Sequence, residues 1–240
     1  MVQVSQRLPR SPRTGSTAPA GVSSVSGSAL VGLLTRLTDS RIPESSQSIS
    51  ERLSQWLGWT DAISLSSVLG AANKKPSSAS RAIPSVPSAE EADVARVRDA
   101  LMKTLADEGG ALRTATDFSP YRRRYVSRQQ TMETAIAPLR TRLQAALVAR
   151  SPALAQLAAV DAVMAQALGA HEVRVLSTIP VLLEKHYTRL RRAQVDSIDP
   201  DVSPDMWLDG FTDDMQSVLF AELDIRLQPI EGLLEALRSN

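Results

Sequence analysis

Apolar residues recur along this chain at the three- and four-residue spacing of helix faces. Leu30, Leu33, Leu34 and Leu37 predict an amphipathic helix over 28–38. Ser48 followed by Glu51 is a capping box, and Leu53, Trp56 and Leu57 continue from it until Gly58 stops the helix. Thr60 then caps a third helix bearing Ile63, Leu65, Val68 and Leu69, ending at Gly70. Together they predict a compact three-helix unit over 28–70. Its large side chains are few, so Trp56 and Trp59 are expected in its core, with partner anchoring as their competing role. A second capping box at Ser88 and Glu91 opens a helix with Val94, Val97, Leu101 and Leu105 on one face, ended by Gly109 and Gly110.

The longest patterns run from Ser119 to Gln194. Ser-Pro at 119–120 and again at 151–152 marks two helix starts. Between them Tyr125, Met132, Leu139 and Ala146 recur every seven residues, with Ile136 and Leu143 interleaved, the seam of a bundle helix. Pro138 should bend this arm without breaking it. The second arm carries Leu154, Leu157, Met164, Leu168, Val175, Ile179, Leu182, Leu183 and Leu190, with a change of face near Gly169 and a kink at Pro180. A two-residue junction makes the arms an antiparallel hairpin, on which the rest is expected to pack. Ser203-Pro204 starts a short helix ended by Gly210, and Phe220, Leu223, Leu227, Ile230, Leu234 and Leu237 form a heptad in the last one. The fold class is therefore all-α: the three-helix unit, then a bundle over 88–240. Residues 1–27, rich in Ser, Pro, Gly and Arg, are expected to be a disordered arm, and 71–87 a linker.

Composition sharpens this picture in two places. Aromatic residues make up only 4% of 240 residues, and no cysteine is present, which removes disulfides and fits a reducing, cytoplasmic, bacterial setting. The early apolar run at 29–34 is too short for a signal peptide, and no window is expected to span a membrane. The formal net charge of +1 conceals an inversion. Residues 119–194 hold twelve basic and four acidic side chains, and 195–240 hold eleven acidic and two basic. An acidic tail docked on a basic hairpin would neutralise both. The basic patch consists of Arg122, Arg123, Arg124 and Arg128 on the first arm, with Lys185, Arg189, Arg191 and Arg192 on the second. Its flanking Tyr121 and Tyr125 could stack on bases, so nucleic-acid binding is a rival to coverage by the tail.

Candidate chemistry is sparse. His171 and His186 lie 15 residues apart with no cysteine to join them, and His171-Glu172 lacks the metalloprotease spacing. His186 is expected to be partly exposed and His171 a surface residue. Asp199, Asp201 and Asp205 lack the glycine and closing glutamate of a calcium loop, while Asp213 and Asp214 suit the first turn of the last helix. No phosphate loop, nucleophile elbow or dinucleotide fingerprint occurs. No catalytic, cofactor-binding or metal-binding set is assigned, and the chain is not expected to be an enzyme.

The segment Glu51-Arg-Leu-Ser-Gln-Trp-Leu-Gly-Trp-Thr-Asp-Ala-Ile63, with 118–130, resembles an uncharacterised proteobacterial family, a domain of unknown function. That resemblance brings no activity, cofactor or catalytic residue and implies a partner-binding role. The functional expectation is a helical adaptor or scaffold that binds protein partners, with nucleic-acid binding through the basic face as the alternative. The C-terminal heptad could complete the bundle, which is preferred, or pair across a homodimer.

Overall fold

The computed structural model describes residues 25–38, 49–70, 88–107, 117–196 and 206–239; of the arm expected at 1–27, residues 25–27 instead begin a helix and the rest lies outside them, as do the linker and the Ser48 half of the first capping box. Among the described residues there are helices and no strand. They are α1 (Val25–Thr38), α2 (Ile49–Trp56), α3 (Trp59–Gly70), α4 (Ala89–Ala106), α5 (Ser119–Arg150), α6 (Pro152–Leu176), α7 (Ile179–Asp196) and α8 (Met206–Arg238).

Two caps are those the sequence predicts. Ser88 Oγ accepts from the Glu91 N–H at 3.2 Å while Glu91 Oε2 accepts from the Ser88 N–H at 3.0 Å, and Ser151 Oγ accepts from the Leu154 N–H at 3.3 Å. The start of α5 differs. Phe118 occupies the cap position with its ring buried, so the cap role passes to Asp117, whose Oδ1 accepts from the Ser119 N–H at 2.8 Å. Pro138 removes one backbone hydrogen bond without breaking the helix: α5 runs on for 32 residues and buries Tyr121, Tyr125, Met132, Ile136, Leu139, Leu143 and Leu147. By its end the buried position has moved from Ala146 to Leu147, as expected when a 3.6-residue turn runs against a seven-residue repeat. The kink at Pro180 is real and falls just ahead of it. Ser177 and Thr178 separate α6 from α7, so 152–196 forms one long bent run.

The organising element is α8 rather than the hairpin. It extends through Gly210, which was expected to end a separate helix, because Leu208 and Phe211 on either side are both buried and packing outweighs the cost of one helical glycine. Surrounded by α1, α4, α5 and α7, it buries twelve side chains, among them four of the heptad, Leu223, Leu227, Ile230 and Leu234. The heptad thus completes the chain's own bundle. At one end of α8, five of the chain's nine aromatic residues meet. Phe211 lies 5.3 Å from Tyr121, 5.2 Å from Tyr187 and 6.1 Å from Phe118, and Trp207 lies 5.1 Å from Tyr187.

The helices of 28–70 take separate seats. α1 lies on α7 and α8, burying Leu30 and Leu37, whereas α2 and α3 lie along α6. With its cover given to the bundle, α1 leaves α3 with no fully buried side chain.

The acidic end of the chain does come home to the bundle, and several of its charges pair with groups outside the basic patch. Asp224 and Glu231 meet Arg98 of α4 at 3.5 and 2.7 Å, Arg238 pairs with Glu91, and Asp214 meets Arg36 of α1 at 3.4 Å. The hairpin is instead locked from within, where Arg140 holds both oxygens of Asp161 at 2.8 and 2.5 Å and Gln144 adds a 2.7 Å bond. Burial raises the Asp161 carboxyl, but hydrogen bonds from Arg140 and Gln144 outweigh it and hold the group below its ordinary range.

Candidate partner-binding face

Two contacts set α2 and α3 on α6. The Trp56 ring stacks on His171 with centroids 4.0 Å apart, and Gln156 Nε2 donates to the Val68 carbonyl at 2.8 Å. Rising residue number on α3 therefore meets falling number on α6, an antiparallel pairing. Gly58 makes the turn between α2 and α3, where its N–H donates to Asp61 Oδ2 at 3.1 Å. Asp61, Leu65 and Val68 face inward, half-buried. That leaves Trp59, Ala62, Ile63, Ser66 and Leu69 outward, an uncharged stripe at helical spacing. Trp59 is 82% exposed, Ile63 54% and Leu69 53%.

This corrects the expectation that both tryptophans lie in a core: Trp56 is 38% exposed, with its ring stacked on His171. The physical reason is that a three-helix core needs α1, and α1 packs on α7 and α8 instead. Beneath the stripe, α6 is itself poorly covered. Only Leu154, Ala158 and Leu176 are buried, while Leu157, Val173 and Val175 are exposed. Within 152–196 lies one stretch long and apolar enough, by length and composition alone, to cross a bilayer, contrary to the expectation that no window would.

The basic patch divides. Arg122 and Arg123 are exposed, as are Lys185, Arg189, Arg191 and Arg192. Arg124 is half-buried and partnered. Arg128 is drawn to α4, where it meets Asp107 at 3.5 Å. Tyr121 and Tyr125, which were to interleave the arginines as stacking platforms, are 1% and 0% exposed. Tyr121 enters the aromatic cluster and Tyr125 a polar one.

That polar cluster went unpredicted. Glu222 of α8 is fully buried and accepts from Tyr125 Oη at 2.7 Å, from Gln129 Nε2 at 3.0 Å and from Arg226 Nε at 2.9 Å. Gln129 Nε2 also donates to the Leu176 carbonyl at 3.2 Å, tying the bend between α6 and α7 to the centre of the bundle. Burial, then the neighbouring Glu222 charge, pushes the Tyr125 hydroxyl well above its ordinary value of 10.0. The signal was present in the sequence: Met215, Leu219 and Glu222 stand at i, i+4 and i+7, which puts the carboxylate on the apolar face.

His186 also departs from expectation. It is 4% exposed, with Nε2 2.8 Å from Asp214 Oδ2 and Nδ1 accepting from Arg189 at 3.0 Å. An acceptor at Nδ1 and a donor at Nε2 describe the neutral ring. Asp214 therefore works from the middle of α8 and not from a first turn. Among the described residues no three His, Asp or Glu side chains converge as a metal site would need.

A family model described as protein of unknown function, DUF3348, matches residues 19–239. The chain belongs to the DUF3348 family. Among curated proteins and solved structures, nothing matches this DUF3348 chain. The family carries no activity over to it, so function rests on the geometry above.

Proposed function

We propose that this protein is a non-enzymatic helical adaptor whose α3–α6 face binds an amphipathic helix of a protein partner. The observation that carries the reading is Trp59, 82% exposed at the head of an uncharged stripe. A large aromatic side chain held in water on a helix is unfavourable for the isolated chain and is the residue type in which binding energy concentrates. Trp59 and Ile63 stand one turn apart, the spacing by which one helix reads another, and Leu69 extends the same exposed stripe. The convergence of polar side chains inside the bundle supports the non-enzymatic reading. The Tyr125–Gln129–Glu222–Arg226 cluster is closed off in the bundle, with Glu222 fully buried.

The test is a nuclease-treated affinity capture from native cells, followed by titration of the purified captured protein. Trp59→Ser with Ile63→Ser is expected to weaken that binding at least tenfold, with the circular dichroism spectrum and melting temperature unchanged. A purified partner that binds the double variant as tightly as the parent would remove the reading.

A further inference from the structure

Independently of the apolar face, Lys103, Arg150 and Arg174 stand outside every ion pair among the described residues, and so do a further four cations, Arg122 and Arg123 on α5 and Lys185 and Arg192 on α7. These four gather around one contact. The Tyr121 and Tyr187 rings lie 5.7 Å apart, and each of the four is within five residues of one of these tyrosines, about 8 Å or less along its helix. Of the acidic cover predicted for them, Asp214, Asp224 and Glu231 of α8 pair instead with Arg36 and Arg98. Beside them α7 presents a shallow hollow of about 530 Å³, lined by Val181, Glu184, Lys185, Thr188, Arg189 and Arg192, in which three cations outnumber the one acid.

We infer that the start of α5 and the outer side of α7 form a strip that binds the phosphate backbone of duplex nucleic acid without reading its sequence. Lys185 and Arg192 share a face about 10 Å long. Duplex DNA carries one charge per ~1.7 Å of axis, so about six phosphates come opposite a strip of that length. Base recognition is not provided for beside these cations, because Tyr121, Tyr125 and Tyr187 are all buried. Charge density then decides preference, and the duplex carries more of it than a single strand.

The test is fluorescence anisotropy of the full chain with a labelled random duplex and its single strand, between 50 and 300 mM NaCl. Four phosphate contacts predict a slope of log Kobs against log salt of about −3 to −4 for the duplex, which should bind more tightly than the single strand. Arg123→Ala with Arg192→Ala should flatten the slope by about two and lower affinity at least tenfold at 100 mM salt. The charge-matched pair Arg96→Ala with Arg150→Ala, on α4 and at the far end of α5, should change affinity less than twofold, and melting curves confirm that both variants fold. No binding at 50 mM salt, or equal losses in the two variants, overturns the strip. Tighter binding of the single strand overturns backbone-only contact. Binding to vesicles containing phosphatidylglycerol with none to DNA would reassign the cations to a lipid surface and overturn the nucleic-acid proposal.

Discussion

Helices α6 and α8 invert the usual relation between composition and burial. α6 has three charged residues in 25 and α8 nine in 33, yet α6 buries three side chains and α8 twelve. Burial here follows position. α8 packs against α1, α4, α5 and α7 and keeps Asp209, Asp213, Asp224, Glu231, Glu235 and Arg238 along its one exposed stripe, while the inward Asp214 and Glu222 meet Arg36 and Arg226. α6 has α5 on one side and the short α2 and α3 on another, so apolar surface is left over. Where a chain keeps a helix this apolar and covers it this poorly, the surplus is available to something outside the chain.

The largest effect expected from breaking this comparison is at the centre of α8. Glu222→Ala leaves the Arg226 guanidinium and the Tyr125 hydroxyl buried without their acceptor, and should cost about 3–5 kcal/mol in urea unfolding. Replacing both charges, Glu222→Leu with Arg226→Met, should recover much of that loss. A single variant as stable as the parent would mean the carboxylate is not closed off as described.

Next come matched truncations. Leu223→Ala, at 0% exposure in α8, should cost about 2–5 kcal/mol, while Leu157→Ala, at 40% exposure in α6, should cost under about 1 kcal/mol by the same measurement. Similar losses would show that α6 is covered and the contrast false.

Tyr125→Phe is smaller, about 1–3 kcal/mol, since Glu222 keeps its bonds from Gln129 and Arg226. It carries a pH signature. The folded chain holds the Tyr125 proton above the value at which the unfolded chain releases it, so the stabilisation is complete below pH 10 and is lost as pH rises beyond. Unfolding free energies of parent and variant should therefore converge in that alkaline range.

Much of this contrast could be read from residue order, and some of it could not. The spans of α4 and α5, the hairpin at Ser151-Pro152 and the seam from Tyr125 to Leu143 are local patterns, and each is where its spacing puts it. Choice of neighbour is not local. Leu30 and Leu37 on α1 fit a three-helix core and the face of α8 equally well by pattern, and only the available area decides. The exposed tryptophans follow from that choice, and so does the acidic tail meeting Arg98 in place of Arg122. Gly210 reads as a stop because propensity is visible in sequence and the packing of Phe211 is not.

Two glycines inside the compared helices give a finer test. A Cβ at Gly169 of α6 or Gly210 of α8 meets nothing within 4 Å, so each Ala variant should gain about 0.5–1 kcal/mol from helix propensity alone. A loss at Gly210, measured by the same unfolding curve, would mean that the start of α8 is tighter than its geometry indicates.

The smallest expected change is the most informative one. Trp59→Ser removes the largest side chain of α3, yet that side chain is 82% exposed, makes no ring contact among the described residues and belongs to a helix with nothing fully buried. Its loss should shift stability by no more than about 0.5 kcal/mol, because little apolar area leaves water when α3 docks on α6. A core tryptophan in the same segment would cost about 3–5 kcal/mol, so the two roles differ by several-fold in one denaturant titration. A large loss would place Trp59 against α6 and remove the uncovered face on which the adaptor reading stands; a neutral result leaves a tryptophan that the fold does not use, at the position where a partner helix would find it first.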